Sequence, residues 1–511
     1  MTGTAQIVTF EKLYYFNNSP TDGAATCFRQ TPDGGYIIGG SQFIFPDAPC
    51  LVRTDANGDT VWVKHYNFGQ ANIRDVVVTT DSGFAIVGFD ETNAMNFFVA
   101  RLNGLGDTIW TRKFDIPGGY SGGHAIRQTS DGGFIVAGAA DNPVAYDGLL
   151  IRMDASGDTL WTKKYGGTGT IRFNCVEETQ DGGFIICGTN ELGSSANKLL
   201  LIKTNSAGDT LWTRKYGATS TNQAMGNWVS PTTDGGYIVT GGVKDGVNWF
   251  DVLLMKTDSA GNVAWAKKYW GPPNYDDIGR SVQQTSDGGF AVGAFMPAPC
   301  GYSPVLIKTD ANGDTTWINS YCDNLGLNDE AWYAQPTTDG GYAFCGRSRF
   351  NGVGSSGMWL VKADANGSTQ CNTLPYVIPY DSVQMSLFSA TTVVSGGMPV
   401  SHPSLAISGG CTVLTMCTTL EIPEEQDHTA IIYPNPVTDD GTITIRTENT
   451  TGAVSVSIMD VTGRILCTRE TVAVNGEIHL VLDPAGFSAG LYTCTISQAN
   501  GECIAAQFVI Q

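Results

Sequence analysis

Short apolar runs alternate with glycine-containing turns along most of the chain, and the same arrangement returns at a nearly constant interval. An Asp-x-Gly turn followed by an aromatic residue and an apolar run starts at seven aspartates: Asp33, Asp81, Asp131, Asp181, Asp234, Asp287 and Asp339. Tryptophans keep the same interval at Trp62, Trp110, Trp161, Trp212, Trp265 and Trp317, and Cys371 stands at the equivalent place in the last unit. The sequence therefore contains seven repeats of about 50 residues.

Each repeat predicts four β-strands joined by hairpins. In the third repeat, HAIRQT (124–129) and FIVAGA (134–139) bracket SDGG, while GLLIRMD (148–154) and DTLWTKKYG (158–166) bracket ASG. Glycine accepts the positive φ that such tight turns need. A lone sheet of four strands leaves its faces and edges exposed, and radial stacking of several sheets covers them. The pattern predicts an all-β fold with a seven-bladed β-propeller over residues 1–371.

The N-terminal segment predicts how the propeller closes. FEKLYYF (10–16) aligns with WTKKYGG (161–167), which is a fourth strand, yet no first three strands precede it. The seventh repeat lacks the aromatic residue of its own fourth strand. We therefore expect residues 8–16 to complete the last blade.

The segment TDANGDTTW (309–317) has close copies in most repeats and invites a comparison with metal sites. Its form predicts a hairpin in which Asp310 accepts backbone amides and Gly313 is left-handed. The alternative is calcium binding by Asp55, Asp59, Asp310 and Asp314, because the spacing resembles the start of a calcium loop. Asn262 and Ser368 replace the last aspartate in two repeats and no bidentate glutamate follows, so the turn is favoured.

The Asp-box of sialidase propellers also joins a turn aspartate and glycine to a threonine and a tryptophan. Here the spacing is one residue longer on each side of the Gly-Asp pair, and no arginine cluster for a substrate carboxylate is evident along the chain. We interpret the repeated segment as structural.

The remaining connections vary in length and are rich in aromatic residues. In an up-and-down blade they share the face opposite the glycine turns, and irregular loops on a rigid scaffold commonly carry recognition. The predicted ligand-binding candidates are Phe43, Phe45, Tyr146, Trp249, Phe250, Trp270, Tyr275, Tyr302 and Phe350. Packing between neighbouring blades is the alternative role for each of them.

Composition narrows the functional classes. The formal net charge is −20 with a pI near 4.5, and basic residues form no linear cluster, which argues against nucleic acid as a partner. No apolar run reaches the length of a transmembrane segment. The five histidines lack metal-ligand spacing, and no nucleophile elbow or phosphate loop is present. We predict no catalytic residue and no cofactor, although a pair of catalytic carboxylates is invisible in one sequence.

The repeats stop after residue 371. Residues 372–430 predict a β-prone connecting segment and linker, and residues 431–511 alternate apolar and polar positions as in a β-sandwich. This last part carries three motifs in order: Tyr433-Pro434-Asn435-Pro436, then Asp460-Val461-Thr462-Gly463-Arg464, then Gly490-Leu491-Tyr492. Together they resemble the type A C-terminal sorting domain of the type IX secretion system of Bacteroidetes.

The resemblance implies recognition by the type IX machinery and a secreted or outer-membrane cell-surface location. It also implies a signal peptide, which the start MTGTAQIVTF does not contain. The repeats are similar to uncharacterised regions of such secreted proteins, which supply no activity. Our leading hypothesis is a binding protein for a glycan or a surface protein, and the alternatives are a polysaccharide hydrolase or lyase and a purely structural surface or matrix protein.

Overall fold

The structure is a computed structural model whose regular elements are all β-strands. It describes residues 7–16, 23–42, 48–66, 71–90, 96–114, 121–142, 145–166, 169–192, 197–217, 223–244, 249–299, 301–322, 329–348, 356–369, 373–388, 392–395, 400–401, 406–408, 411–418, 431–433, 442–447, 452–460, 465–474, 476–482, 490–498 and 503–510. Two compact units are present, Met1–Leu420 and Glu421–Gln511. The predicted all-β class is confirmed.

The first unit is the predicted seven-bladed β-propeller. Its first strand is β1 (Phe10–Phe16). Blade 1 contains β2 (Gly23–Gln30), β3 (Tyr36–Gln42), β4 (Ala48–Thr54) and β5 (Thr60–Tyr66), and blade 2 contains β6 (Ala71–Val78), β7 (Phe84–Asp90), β8 (Asn96–Leu102) and β9 (Thr108–Phe114). Blade 3 contains β10 (Ser121–Gln128), β11 (Phe134–Asn142), β12 (Ala145–Met153) and β13 (Thr159–Gly166), and blade 4 contains β14 (Thr170–Glu178), β15 (Phe184–Glu191), β16 (Lys198–Thr204) and β17 (Thr210–Gly217).

The later blades continue the same antiparallel order. Blade 5 contains β18 (Ala224–Pro231), β19 (Tyr237–Val243), β20 (Asp251–Thr257) and β21 (Val263–Tyr269), and blade 6 contains β22 (Ile278–Gln284), β23 (Phe290–Ala298), β24 (Gly301–Thr309) and β25 (Thr315–Tyr321). Blade 7 contains β26 (Glu330–Pro336), β27 (Tyr342–Ser348) and β28 (Gly357–Ala363). Its fourth strand is β1, whose Leu13 pairs with Trp359. The N-terminal strand thus lies between β28 and β35 in the sheet of the last blade.

The segment after residue 371 differs from its expected role as a connector. It supplies a fifth, outermost strand to every blade, and we call these seven strands the belt: β29 (Thr373–Pro375), β30 (Tyr380–Ser382), β31 (Ser386–Phe388), β32 (Thr392–Ser395), β33 (Val400–Ser401), β34 (Ala406–Ser408) and β35 (Cys411–Thr418). They pair in order with blades 6, 5, 4, 3, 2, 1 and 7. Residues 373–418 therefore belong to the propeller sheets, and the compact unit extends to Leu420. The belt covers the open edges that the outer strands would otherwise present.

The middle strands of each blade are buried because neighbouring blades cover both faces of every sheet. In β16 every residue from Lys198 to Thr204 is buried, and in β20 every residue from Asp251 to Thr257 is buried. Blade 7 contacts blade 1 through β2 and β27, and the Thr338 amide donates to Oε1 of Gln30 at 2.8 Å. The same bond links Thr80 to Gln128 and Thr233 to Gln284. The closing contact is thus of the same kind as the other contacts between blades.

The second unit is a β-sandwich. One sheet contains β36 (Ile431–Tyr433), β37 (Thr442–Arg446) and β40 (Glu477–Val481), and the other contains β39 (Ile465–Ala473), β38 (Gly452–Asp460), β41 (Gly490–Gln498) and β42 (Cys503–Ile510). Its core is made by alternating residues of both sheets, including Ile443, Ile445, Ile458 and Ile496, which are all fully buried. This arrangement confirms the Ig-like sandwich predicted from the alternating pattern.

Deleting residues 1–16 should lower the melting temperature of the protein by more than about 5 °C. The deletion removes β1, which is hydrogen-bonded on both sides, to β28 and to β35. Differential scanning calorimetry measures the change, and deletion of residues 1–6 alone is the matched control. Equal melting temperatures for the two deletions would contradict a closing role for β1.

Candidate functional site

The recurring TDANGDTTW segment is the turn at which each blade contacts the outer strand of the preceding blade. Gly313 has φ +79°, and a Cβ placed there would lie 2.8 Å from the ring of Trp265 in the preceding blade. The hydroxyl of Tyr269 donates to the Gly313 carbonyl at 2.6 Å, and Lys267 forms an ion pair with Asp314. The turn therefore contacts three side chains of one strand in the preceding blade, Trp265, Lys267 and Tyr269.

The same contact recurs between every pair of neighbouring blades. The ring-to-glycine contacts are Phe10–Gly58, Trp62–Gly106, Trp110–Gly157, Trp161–Gly208, Trp212–Gly261, Trp265–Gly313 and Trp317–Gly367. Blade 2 has Phe114 in place of the tyrosine, and Arg112 Nε donates to the Gly157 carbonyl at 3.1 Å instead. These contacts account for the conserved form of the repeat without a ligand.

The four aspartates considered for calcium already have partners. Asp55 Oδ1 accepts the amides of Asn57 and Asp59 at 2.9 Å, and Asp310 Oδ1 accepts those of Asn312 and Asp314. The carboxylate of Asp59 pairs with Lys12, as that of Asp314 does with Lys267. Across the described part of the chain, no three His, Cys, Asp or Glu side chains are grouped so that they could hold a metal ion.

The Asp-x-Gly turns form a second repeated contact on the same face of the propeller. A basic residue at the end of the third strand reaches the turn aspartate in all seven blades: Arg53–Asp33, Arg101–Asp81, Arg152–Asp131, Lys203–Asp181, Lys256–Asp234, Lys308–Asp287 and Lys362–Asp339. The turn between strands 1 and 2 therefore lies beside the end of strand 3. The turn face is occupied by repeated structural contacts, and the variable-loop face lies at the other ends of the strands.

Two aromatic candidates, Tyr275 and Tyr302, pack against each other on the variable-loop face between blades 5 and 6. The rings of Tyr275 and Tyr302 meet edge to face at 5.6 Å, and the Tyr302 hydroxyl accepts the Asp276 amide at 3.2 Å. The Phe250 amide donates to Asp276 Oδ1 at 2.8 Å. Tyr275 is 48% exposed. This cluster combines packing with an exposed aromatic surface.

The other candidates are placed separately. Trp249 is 41% exposed, and Trp270 is half-buried with Lys268 Nζ 4.8 Å from its ring centre. Tyr146 lies under the guanidinium of Arg172, 4.9 Å from its ring centre. Phe43, Phe45 and Phe350 lie outside the described residues.

A cavity of about 330 Å³ lies where the innermost strands of all seven blades meet, and we call it the axial pocket. Its lining consists of Thr26, Cys27, Arg74, Asp75, His124, Arg172, Asn174, Asn227, Trp228, Arg280, Trp332 and Tyr333. These residues lie six to nine positions before the turn aspartate of their blade, and most of them are in the half of the strand that follows the blade-to-blade loop. The axial pocket therefore lies toward the variable-loop face.

Side chains seven positions before the turn aspartate form hydrogen bonds to the backbone of the next blade around the pocket. Thr26 Oγ1 donates to the Ile73 carbonyl at 2.6 Å, and Asn174 Nδ2 and Asn227 Nδ2 donate to the carbonyls of Gly226 and Gly279 at 2.8 Å. His124 Nδ1 lies 2.7 Å from the Phe173 carbonyl, so this nitrogen carries the proton and Nε2 does not. Burial, reinforced by the charges of Arg74 and Arg172, lowers the pKa of His124 to about 4. The imidazole is neutral at physiological pH.

A buried ion-pair network lies behind the pocket. Asp75 is 4% exposed and accepts Arg29 Nη2 at 2.9 Å and Arg127 Nη1 at 2.6 Å. Arg127 Nε also donates to Glu177 at 2.7 Å. The guanidinium of Arg29 lies 4.4 Å from the centre of the Tyr333 ring, and that of Arg127 lies 5.0 Å from the Trp228 ring. This network fixes the shape of the pocket wall and neutralises its carboxylates.

The axial arginines correct the sequence-based view that the chain has no arginine cluster. Five arginines from separate repeats, Arg29, Arg74, Arg127, Arg172 and Arg280, line or back the pocket. They are 45 or more residues apart, so no linear motif shows them. Arg74 and Arg280 stand seven positions before the turn aspartate of their repeat, whereas Arg29 and Arg127 stand four positions and Arg172 nine positions before it. Aligning the repeats on that aspartate is the signal that could have found the first two, because the other repeats place Thr26, His124, Asn174, Asn227 and Trp332 at the same position.

Comparison with known proteins identifies the C-terminal unit. Residues 431–511 match the family of secretion system C-terminal sorting domains. Comparison with curated proteins finds no match. The chain is thus a cargo of type IX secretion that is exported to the cell surface or extracellular space, as the three motifs predict. Among the described residues, none forms a helix suited to crossing a membrane.

The motif residues that the structure describes lie on neighbouring strands. Asp460 ends β38 and pairs in register with Tyr492, which follows Gly490 and Leu491 at the start of β41, and Tyr492 is buried. Tyr433 ends β36. Pro434, Asn435, Pro436, Gly463 and Arg464 lie outside the described residues.

Three solved structures are similar to the chain at low identity. A protein of unknown function from Dyadobacter fermentans is 9% identical, with 69% of this chain and 98% of that chain covered and a TM-score of 0.39. Sqt1 from Chaetomium thermophilum is 12% identical, with 74% and 90% covered and a TM-score of 0.43. PorZ from Porphyromonas gingivalis is 9% identical, with 95% and 81% covered and a TM-score of 0.28. The architecture described above rests on strand pairing rather than on these similarities.

Replacing Gly313 by Ala should destabilise the propeller by about 1–3 kcal/mol more than replacing Gly132 by Ala. Both glycines have positive φ, so the backbone cost is shared, but a Cβ at Gly313 meets Trp265 and one at Gly132 meets nothing within 4 Å. Urea denaturation of the two variants gives the difference. Equal losses would show that Trp265 does not depend on this turn.

Replacing Asp75 by Asn should cost about 3 kcal/mol of unfolding free energy, because it leaves Arg29 and Arg127 buried without this counter-charge. The control is Asp59→Asn, whose side chain is 53% exposed and pairs with Lys12. That change should cost less than about 1 kcal/mol. Denaturant midpoints measure both, and equal effects would argue against a tightly coupled network at the axis.

Proposed function

We propose that this exported propeller is a binding protein that recognises a glycan or another surface protein through its variable-loop face. The observation that carries the proposal is the axial pocket, a cavity to which all seven blades contribute. Concave sites that combine aromatic side chains with a few polar groups are the usual form of a ligand site. Export to the cell surface or beyond places such a site where extracellular ligands occur.

The chemistry of the pocket favours binding over turnover. A hydrolase or lyase needs a carboxylate, imidazole or phenol that is able to exchange a proton with the substrate. Asp75 and Glu177 are ion-paired with Arg29 and Arg127, and burial raises the pKa of Tyr333 to about 12. These groups are better suited to fixing the pocket wall than to acid and base catalysis.

The exposed aromatic residues around the loops would extend the contact surface. Trp249 and Tyr275 are each more than 40% exposed, and aromatic rings stack on the apolar faces of sugars as well as on protein side chains. Tyr302 packs against Tyr275 and would support it, and the Phe250 amide is hydrogen-bonded to the neighbouring Asp276. Phe43, Phe45, Tyr146, Trp270 and Phe350 complete the proposed contact set.

Replacing Trp249 by Ala should weaken ligand binding by about tenfold while leaving the melting temperature within about 2 °C of the parent value. Glycan arrays followed by calorimetric titration of the bound oligosaccharide measure the affinity. Turnover of labelled polysaccharide is followed in parallel, since product release would favour the enzymatic alternative.

Leu211→Ala is the matched control for this variant. Leu211 is a large apolar residue that is 57% exposed and lies at the start of β17, beside the turn face. Its replacement should leave binding unchanged. Equal losses for both variants, or a large fall in the stability of Trp249→Ala, would contradict recognition through the variable-loop face.

A further inference from the structure

The axial pocket carries positive charge in a strongly acidic protein. Arg74, Arg172 and Arg280 line it, whereas Asp75 is its only lining carboxylate among the described residues. Basic side chains therefore outnumber carboxylates among the described lining residues, although the whole chain has a net charge of −20.

Donor groups in and behind this pocket are left without acceptors. Within the described residues, Arg280 Nε, Trp332 Nε1 and Arg127 Nη2 are buried and have no hydrogen-bond partner. The guanidinium of Arg280 is stacked 4.8 Å from the centre of the Trp332 ring. Burial lowers the pKa of Arg280, and the charge of Glu330 opposes this effect without cancelling it. Such donors are stabilised by an anion that accepts their hydrogen bonds.

The remaining lining residues indicate what carries the anion. The pocket also contains the amides of Asn174 and Asn227, the hydroxyl of Thr26 and the neutral imidazole of His124, together with the rings of Trp228 and Trp332. Amide and hydroxyl groups match the hydroxyls of a sugar, and indole rings match its apolar face. A volume of about 330 Å³ is at the small end of ligand sites and suits one or two sugar rings.

We propose that the axial pocket binds the carboxylate or sulfate group of an acidic saccharide, with Arg280, Arg74 and Arg172 as the anion-binding residues. This inference rests on the proposed function and specifies its ligand class. Arg280 and Trp332 bind the anionic group, and Asn174 and Asn227 contact the sugar hydroxyls. Arg172, whose side chain is 43% exposed and stacks on Tyr146, lies where the saccharide enters.

The test uses the full chain and three oligosaccharide probes in calorimetric titrations: oligogalacturonate, its neutral methyl ester, and a sulfated galactan oligosaccharide. We expect at least one acidic probe to bind, the methyl ester to bind about tenfold more weakly or not at all, and salt at 0.5 M to weaken binding. Binding of the uronate assigns a carboxylate site, and binding of the sulfated probe alone assigns a sulfate site. Equal binding of the ester and the acid would overturn the inference.

Arg280→Gln is the decisive variant, with Arg280→Lys as the conservative one. The first should reduce affinity for the acidic probe by about tenfold or more, and the second should restore part of it because it keeps the charge. Arg446→Gln, at an exposed arginine of the C-terminal unit, is the control and should leave affinity unchanged. Melting temperatures report folding, and unchanged affinity in folded Arg280→Gln would overturn the inference.

A second readout follows the pocket without depending on any oligosaccharide. An anion beside Arg74 and Arg172 should raise the pKa of His124. An NMR pH titration of the imidazole resonances, with and without inorganic sulfate, measures this change. A raised pKa with no glycan or surface protein bound would retain the anion site while contradicting the proposed function. Binding of neutral glycans that depends on Trp249 but not on Arg280 would retain the proposed function while contradicting the anion site. An unchanged His124 pKa together with no acidic probe bound would reject the anion site.

Discussion

The contact on which the propeller depends is the insertion of one blade's outer strand into a left-handed glycine turn of the next blade. An aromatic ring packs on the glycine, and in six of the seven contacts a tyrosine hydroxyl donates a hydrogen bond to the glycine carbonyl. A basic or amide side chain of the same strand lies beside the polar groups of the turn. Only glycine accepts both the positive φ and the close ring. Every repeat therefore keeps the glycine of this turn because each turn must fit a neighbouring blade, which leaves the opposite face free to vary.

The sequence predicts the elements whose signals are local. The hairpin glycines, the period of about 50 residues and the likeness of residues 10–16 to a fourth strand together define seven blades and their closure. The sorting domain is equally accessible, because its three motifs stand in order near the end of the chain. Each of these features depends on residues that are neighbours in sequence or that repeat regularly.

Features assembled from distant segments could not be predicted in this way. The belt strands are two to eight residues long and pair with strands as far apart as β25 and β5, so they carry no period of their own. The axial arginines come from five different repeats, one each in blades 1, 2, 3, 4 and 6, and each alone resembles an ordinary strand residue. Arg74 and Arg280 occupy a β-bulge that recurs at the same place in every inner strand. Register, rather than composition, creates the positive site.

The belt also sets an order of events during folding. Ala406 pairs with Tyr66, and Phe16 pairs with Cys411, so these contacts join residues more than 300 positions apart. Such high contact order makes the last strands slow to dock, and they have no sheet to join until the blades exist. During synthesis from the N-terminus, one edge of β1 therefore has no backbone hydrogen-bond partner until residues 411–418 have been made. The belt can be completed only when nearly all of the chain is present.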